Sequence, residues 1–251
     1  MNYDVSAFTG HWPFRYLRES DLKQQTVRYT NCGITGGCIS SLDAIFYNDP
    51  WEADKKLWEQ TKDTPWELSM CVNPILPWSE KRMEEAHKLG IRHIRLYPGI
   101  HQYPLTEANR IVELAGKLGM TVTITGRLED NRLCYLLQQQ DVSVHDCLVL
   151  AEQNPHTRIM LSGFYIHELR TIDKHLQNLY VDTAGLCHGL DPVQVLLQYV
   201  PMDRILFGSL YPLQCLESHL LNLPEQYKEH VLSQNAEIFM DGTSASKSET
   251  D

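Results

Sequence analysis

Short runs of β-branched and apolar residues alternate with amphipathic stretches from one end of the chain to the other. The pattern predicts strands at Tyr3–Phe8, Thr35–Leu42, Trp66–Val72, His93–Tyr97, Thr121–Thr125, Arg158–Ser162, Leu179–Thr183 and Arg204–Ser209. Between them, apolar residues recur at the spacing of one helix face. Met83, Ala86 and Leu89 do so within Ser79–Leu89, and Ile111, Leu114, Ala115 and Leu118 within Glu107–Leu118. Further helices are predicted at Leu17–Tyr29, Glu52–Lys62 and Pro192–Val200, the second opening on Asp49 as N-cap and Pro50. Gly90 and Gly119 stand where two helices must stop, each just before a strand pattern. Eight strands alternating with helices fit one closed (β/α)8 barrel over residues 1–240 better than an open doubly wound sheet. The serine- and charge-rich tail 241–251 is expected to be disordered.

Composition narrows the function. The net charge of −10 comes with no lysine- or arginine-rich run, so the chain offers no phosphate track for nucleic acid and no attraction to anionic lipid. No apolar run reaches the roughly 18 residues of a membrane span, and the polar start Met1–Asp4 does not read as a signal peptide. The seven cysteines are scattered singly, none in a C-x-x-C pair, which predicts reduced thiols and a cytoplasmic location. No glycine-rich phosphate loop is present, and the sequence calls for no nucleotide or other cofactor.

Four stretches together resemble the amidohydrolase-related family of (β/α)8 proteins, the branch of small decarboxylases, lactonases and metal-dependent hydrolases. They are Asp4–Arg15, Gly90–Pro98, Asn178–Thr183 and Arg204–Pro212, and the closing Asn235–Phe239 looks like the family's final helix. The resemblance implies a hydrolase or decarboxylase with metal ligands at the strand ends. In this chain those positions are degenerate. The H-x-H pair of the first strand falls on Ser6 and Phe8, the fifth-strand histidine on Thr125, and the sixth near Gly163. The aspartate of the family's Gly-Ser-Asp-Tyr-Pro falls on Leu210. Zinc, iron or manganese wants three or four imidazole, carboxylate or thiolate donors, which this set does not supply. Relatives that work without metal keep the eighth-strand aspartate to activate water, and Leu210 removes that base too.

Strand alternation puts Thr121, Thr123 and Thr125 inside the barrel with Val122 and Ile124 outside. It likewise puts Leu206, Gly208 and Leu210 inside with Ile205, Phe207 and Ser209 outside. The replacement residues thus line a partly apolar cup, either filled by side chains or holding a ligand. Near it, His11 and Asp182 are candidate acid–base groups. Arg15, Arg95, Tyr97, Thr125 and Arg127 are candidate ligand-binding groups. Each has a structural alternative. Trp12 and Phe14 would cap the mouth with Arg15 tying down a carboxylate, and Arg95 would pair with Asp182 inside the barrel. Arg127 and the run Glu129–Arg132 read as a lid or a solvated loop. Cys187 and His188 are adjacent and so unsuited to facing one site.

The sequence therefore predicts a degenerate member of this family, without metal-dependent hydrolysis, that binds a small molecule or a protein partner in the cup at the C-terminal face. Two alternatives stay open. One is a metal-independent hydrolase or lyase acting on a small carboxylate or carbonyl compound through His11, Arg15, Arg95 and Asp182. The other is a metal-dependent hydrolase with an unforeseen site. A homo-oligomer is compatible with the sequence.

Overall fold

A computed structural model describes residues 1–130, 132, 136–172, 174–186 and 191–241. The Cys187–His188 pair, Asn131, Cys134 and the tail beyond Asp241 lie outside the described residues.

Eight parallel strands run in sequence order: β1 (Tyr3–Thr9), β2 (Gly36–Ser41), β3 (Trp66–Val72), β4 (His93–Leu96), β5 (Thr121–Thr125), β6 (Ile159–Ser162), β7 (Leu179–Asp182) and β8 (Ile205–Leu206). Each pairs with the next. The chain around β8 returns to β1 through Val5 N–H to Phe207 O (2.9 Å), Leu210 N–H to Ser6 O (3.0 Å) and Phe8 N–H to Tyr211 O (2.9 Å), which closes the barrel. The strands follow the hydrophobic pattern closely, β3 and β5 residue for residue. The last strand is much shorter than the pattern suggests: beyond Leu206 the Phe207 N–H goes to Val231 O and the Gly208 N–H to Thr183 Oγ1, while Ser209 and Leu210 bond back to β1.

The first helix starts later than its apolar spacing predicts, at Leu22 and not Leu17. Asp21 accounts for the shift: its carboxylate accepts the Lys23 N–H and caps the helix there. The second helix runs Trp51–Thr61, one position beyond the expected Pro50 start, with the Asp49 carboxylate accepting the Trp51 N–H. Pro192–Leu196 is shorter than predicted.

Alternation along the strands divides the core in two. Ile94, Leu96, Val122, Ile124, Ile159, Leu161, Val181, Ile205 and Phe207 pack outward with the helical residues Met83, Ala86, Ile111 and Ala115. Inside the barrel, Val5, Cys38, Met160, Tyr180 and Leu206 make a separate cluster with Phe239 and Met240 of the last helix. A register irregularity between Asp4 and Ala7 of β1 places Val5 in that inner cluster and Ala7 in the outer core. The carboxyl ends of the strands carry a third cluster, described next. No helix among the described residues is long and apolar enough to cross a membrane.

Candidate functional site

The carboxyl ends of the barrel strands are where such folds build their sites. Here they are filled. Phe8, Leu42, Tyr97, Leu128, Leu210 and Leu213 form one buried cluster with Trp12. Trp12 in turn packs edge-on against Phe14 at 5.2 Å. Phe8, Tyr97, Leu128 and Leu210 are each fully buried. The cup expected from the sequence is therefore a plug of side chains. Leu210 holds φ +53°, a conformation costly for a branched aliphatic residue, while its N–H bonds Ser6 O.

Beneath the plug lies a buried polar cluster. The Arg95 guanidinium donates from Nη2 to Ser6 Oγ at 2.7 Å and to Val5 O at 3.4 Å. Ser6 Oγ donates to Asp182 Oδ2 at 2.5 Å and lies 3.1 Å from Ser162 Oγ. Asp182 Oδ1 accepts the N–H groups of Gly163 (3.3 Å) and Ala184 (3.1 Å). Burial pushes the Asp182 carboxyl above its usual range, opposed by its bonds to Ser162 and Ser6 and by the Arg95 charge. The guanidinium carbon stands 4.8 Å from the centre of the Phe8 ring, a cation–π contact. Gly208 makes room for this arrangement, since a Cβ there would stand 2.6 Å from Asp182 Oδ2 and 2.9 Å from Ser6 Cβ.

One further feature supports the cluster. Asp4 accepts the N–H groups of Ser6 (3.0 Å) and Ser209 (3.2 Å) and the Ser209 hydroxyl at 2.5 Å, clamping β1 to the segment that follows β8. Arg95 Nε and Nη1 and Thr125 Oγ1 are buried without a hydrogen-bond partner among the described residues. The interior is thus richer in polar atoms than in protein partners for them.

Of the candidate acid–base groups, His11 is exposed on the loop after β1, its backbone N–H on Asp43 Oδ2 at 3.2 Å. Asp182 is buried beneath the plug. Arg15 is bound by Glu129 at 2.5 Å and by Leu213 O, so it ties the loop down as the structural alternative supposed. The structure thus brings Arg95 to Asp182, through Ser6, and leaves His11 and Arg15 on the surface. Arg127 sits at the rim. It makes two bonds to Glu168, at 2.6 and 2.7 Å, and stacks 4.0 Å above the Tyr165 ring. Glu168 in turn accepts the Tyr165 N–H at 2.7 Å. Arg127, Asp130, Arg132, Asp141, Tyr165 and His167 border a cleft of about 440 Å³. Gly163, with φ +72°, lets the chain pass close to Arg127 O, which a Cβ would meet at 2.3 Å.

Sequence reasoning missed Ser162, Tyr165 and Glu168. The three-residue spacing from Tyr165 to Glu168 is that of a capping box, and the structure forms its carboxylate half, Glu168 accepting the Tyr165 N–H; tyrosine is not a usual capping residue. His219 is buried, its Nε2 2.9 Å from Gln214 Oε1.

The residues at the positions that the resemblance assigns to metal ligands do not fit a metal ion. Ser6 Oγ gives its proton to Asp182 and accepts from Arg95, while Phe8, Gly163 and Leu210 bring no side-chain donor atom. Thr125 contributes a lone hydroxyl. A guanidinium already lies against the first two positions, and its fixed charge repels a cation. Among the described residues no three His, Cys, Asp or Glu side chains come together in a way that could hold a metal.

No family model matches the chain, and no curated protein does either. Solved structures do. An uncharacterized TIM-barrel protein from Bordetella bronchiseptica is similar with a TM-score of 0.75 at 17% identity, over 96% of this chain and 98% of that one. The 2,6-dihydroxybenzoate decarboxylase from Rhizobium gives 0.71 at 13%, over 96% and 99%. A dihydroxybenzoic acid decarboxylase from Polaromonas, solved with manganese and the inhibitor 2-nitroresorcinol, gives 0.71 at 15%, over 96% of each chain. At these identities the likeness shows a shared fold. The chain is a (β/α)8 barrel, the fold that the resemblance read from the sequence implied.

Proposed function

We propose that this barrel performs no metal-dependent hydrolysis or decarboxylation. Instead it serves as a small-molecule-binding protein whose ligand sits at the rim beside Arg127, not at the barrel's centre. The observation that carries this reading is the Arg95 guanidinium, bonded to Ser6 and stacked over Phe8. It supplies positive charge where the family resemblance places metal ligands, and it needs no ion. The plug above it excludes substrate from the buried Asp182. The rim cleft has the size of a small-molecule site and offers an oriented guanidinium, an aromatic face and His167.

Small aromatic carboxylates are the first ligands to try, since one solved relative of the fold is described in complex with 2,6-dihydroxybenzoate. The test is calorimetric titration with that compound, with and without manganese, beside an assay for its turnover. The reading expects any binding to be independent of manganese, weakened by Arg127→Ala, and accompanied by no product. Manganese-dependent turnover would overturn it.

A further inference from the structure

A second cleft, of about 740 Å³, lies apart from the Arg127 rim, among the segments that follow β2 and β3. Three of its lining residues are aromatic and exposed. Phe46, Tyr47 and Trp78 are exposed to 40%, 41% and 39%. The site is built on a firm base. Phe46 packs against Trp12 at 5.6 Å and Phe14 at 5.7 Å. Asp49 is fixed by the Trp51 N–H at 3.2 Å and by Arg82 at 2.7 Å.

The charges around the cleft are almost all spent on one another. Arg82 binds Asp49 and also Glu85 at 2.8 Å, and Lys81 lies 3.9 Å from Glu85. Glu52 is the exception. It is exposed, lines the cleft, and has no side-chain hydrogen bond or ion pair among the described residues. Aromatic faces carry the negative end of their quadrupole outward, so rings and an unpaired carboxylate together favour a positively charged organic group. An anion would meet Glu52 and a chain of net charge −10. A neutral apolar ligand would use the rings and gain nothing from the carboxylate.

We propose that this cleft binds a small alkylammonium compound, its cationic head between the Tyr47 and Trp78 faces and Glu52. The inference does not depend on the reading of the barrel's centre or of the Arg127 rim. The experiment is calorimetric titration of the whole chain with choline and with 3,3-dimethylbutanol, its near-isosteric neutral counterpart, at matched ionic strength. Choline should bind saturably and about tenfold more tightly than the neutral analogue. Glu52→Gln and Trp78→Ala should each weaken choline by a similar factor, with thermal unfolding checked to confirm that both variants fold. Equal binding of the two compounds would overturn the proposal, as would no saturable binding of either. Choline selectivity that survives both substitutions would overturn it too.

Discussion

Arg95 and Asp182 share the hydroxyl of Ser6. Arg95 donates to Ser6 Oγ at 2.7 Å, and the same oxygen donates its proton to Asp182 at 2.5 Å. Three strands, β4, β1 and β7, thus meet at one serine in the centre of the barrel. Positive and negative charge are joined without direct contact, in a space where an uncompensated ion would be costly.

Removing the guanidinium should expose that cost. Arg95→Met leaves Asp182 buried with its main counter-charge gone, and the expected loss is about 3–5 kcal/mol of unfolding free energy. Adding Asp182→Asn should recover part of it, so the double variant should lose less than the sum of the single ones. Urea unfolding of the four proteins measures this coupling, and additive losses would show that the two charges act separately.

Introducing the eighth-strand carboxylate that the resemblance implies should fail for a related reason. Leu210 is fully buried among Phe8, Tyr97 and Leu213. Leu210→Asp suits the positive φ better than leucine does, but it places a carboxyl group in the apolar plug. A net loss of about 2–4 kcal/mol is expected from the lost packing and the buried polar group. An unchanged unfolding midpoint would mean that the plug is open to water.

Asp4 makes stability depend on pH in a definite direction. Burial pushes its carboxyl up to about 6, against the pull of its bonds to Ser209 and Ser6 and with a further push from the Asp182 charge. An unfolded aspartate titrates at about 3.9. Between these values the folded chain keeps a proton that the unfolded chain has released. The contribution of Asp4 therefore favours folding fully below about pH 4, falls as pH rises to about 6, and is flat above that. The fall is on the order of 3 kcal/mol. Asp4→Asn lacks this slope. Relative to the parent it should gain roughly that amount between pH 4 and pH 7, as measured by denaturant unfolding at each pH. Parallel curves would show that Asp4 ionises normally.

At the rim, Arg127→Lys should behave as a disruptive change. A lysine ammonium cannot reproduce the paired bonds to Glu168 or the flat contact with Tyr165. Arg127 is buried to nine-tenths, and a loss of about 1–2 kcal/mol is expected. Thermal unfolding within error of the parent would mean that the arginine is not held in place.

Much of the fold was legible because strand alternation is a local property. Thr121, Thr123 and Thr125 declare one face of β5, and Val122 and Ile124 declare the other. Helix starts were less legible where a single side chain decides them, as Asp21 does. Which side chains stand at the strand ends, Ser6, Phe8, Thr125, Gly163 and Leu210, was legible too. How they are engaged was not. The bond from Arg95 to Ser6 joins residues 89 positions apart and depends on the path of β1 past its register irregularity. Whether Phe8, Tyr97 and Leu210 fill the cup or only line it depends on how side chains from several strands and loops interdigitate, which no local pattern encodes.

The central claim is that an arginine, and not a metal ion, provides the positive charge at the heart of this barrel. Elemental mass spectrometry of the purified protein tests it most directly, before and after dialysis against zinc, manganese or iron(II) salts and then buffer. Metal at background in every sample is the predicted result. Zinc, manganese or iron retained near one ion per chain would contradict it.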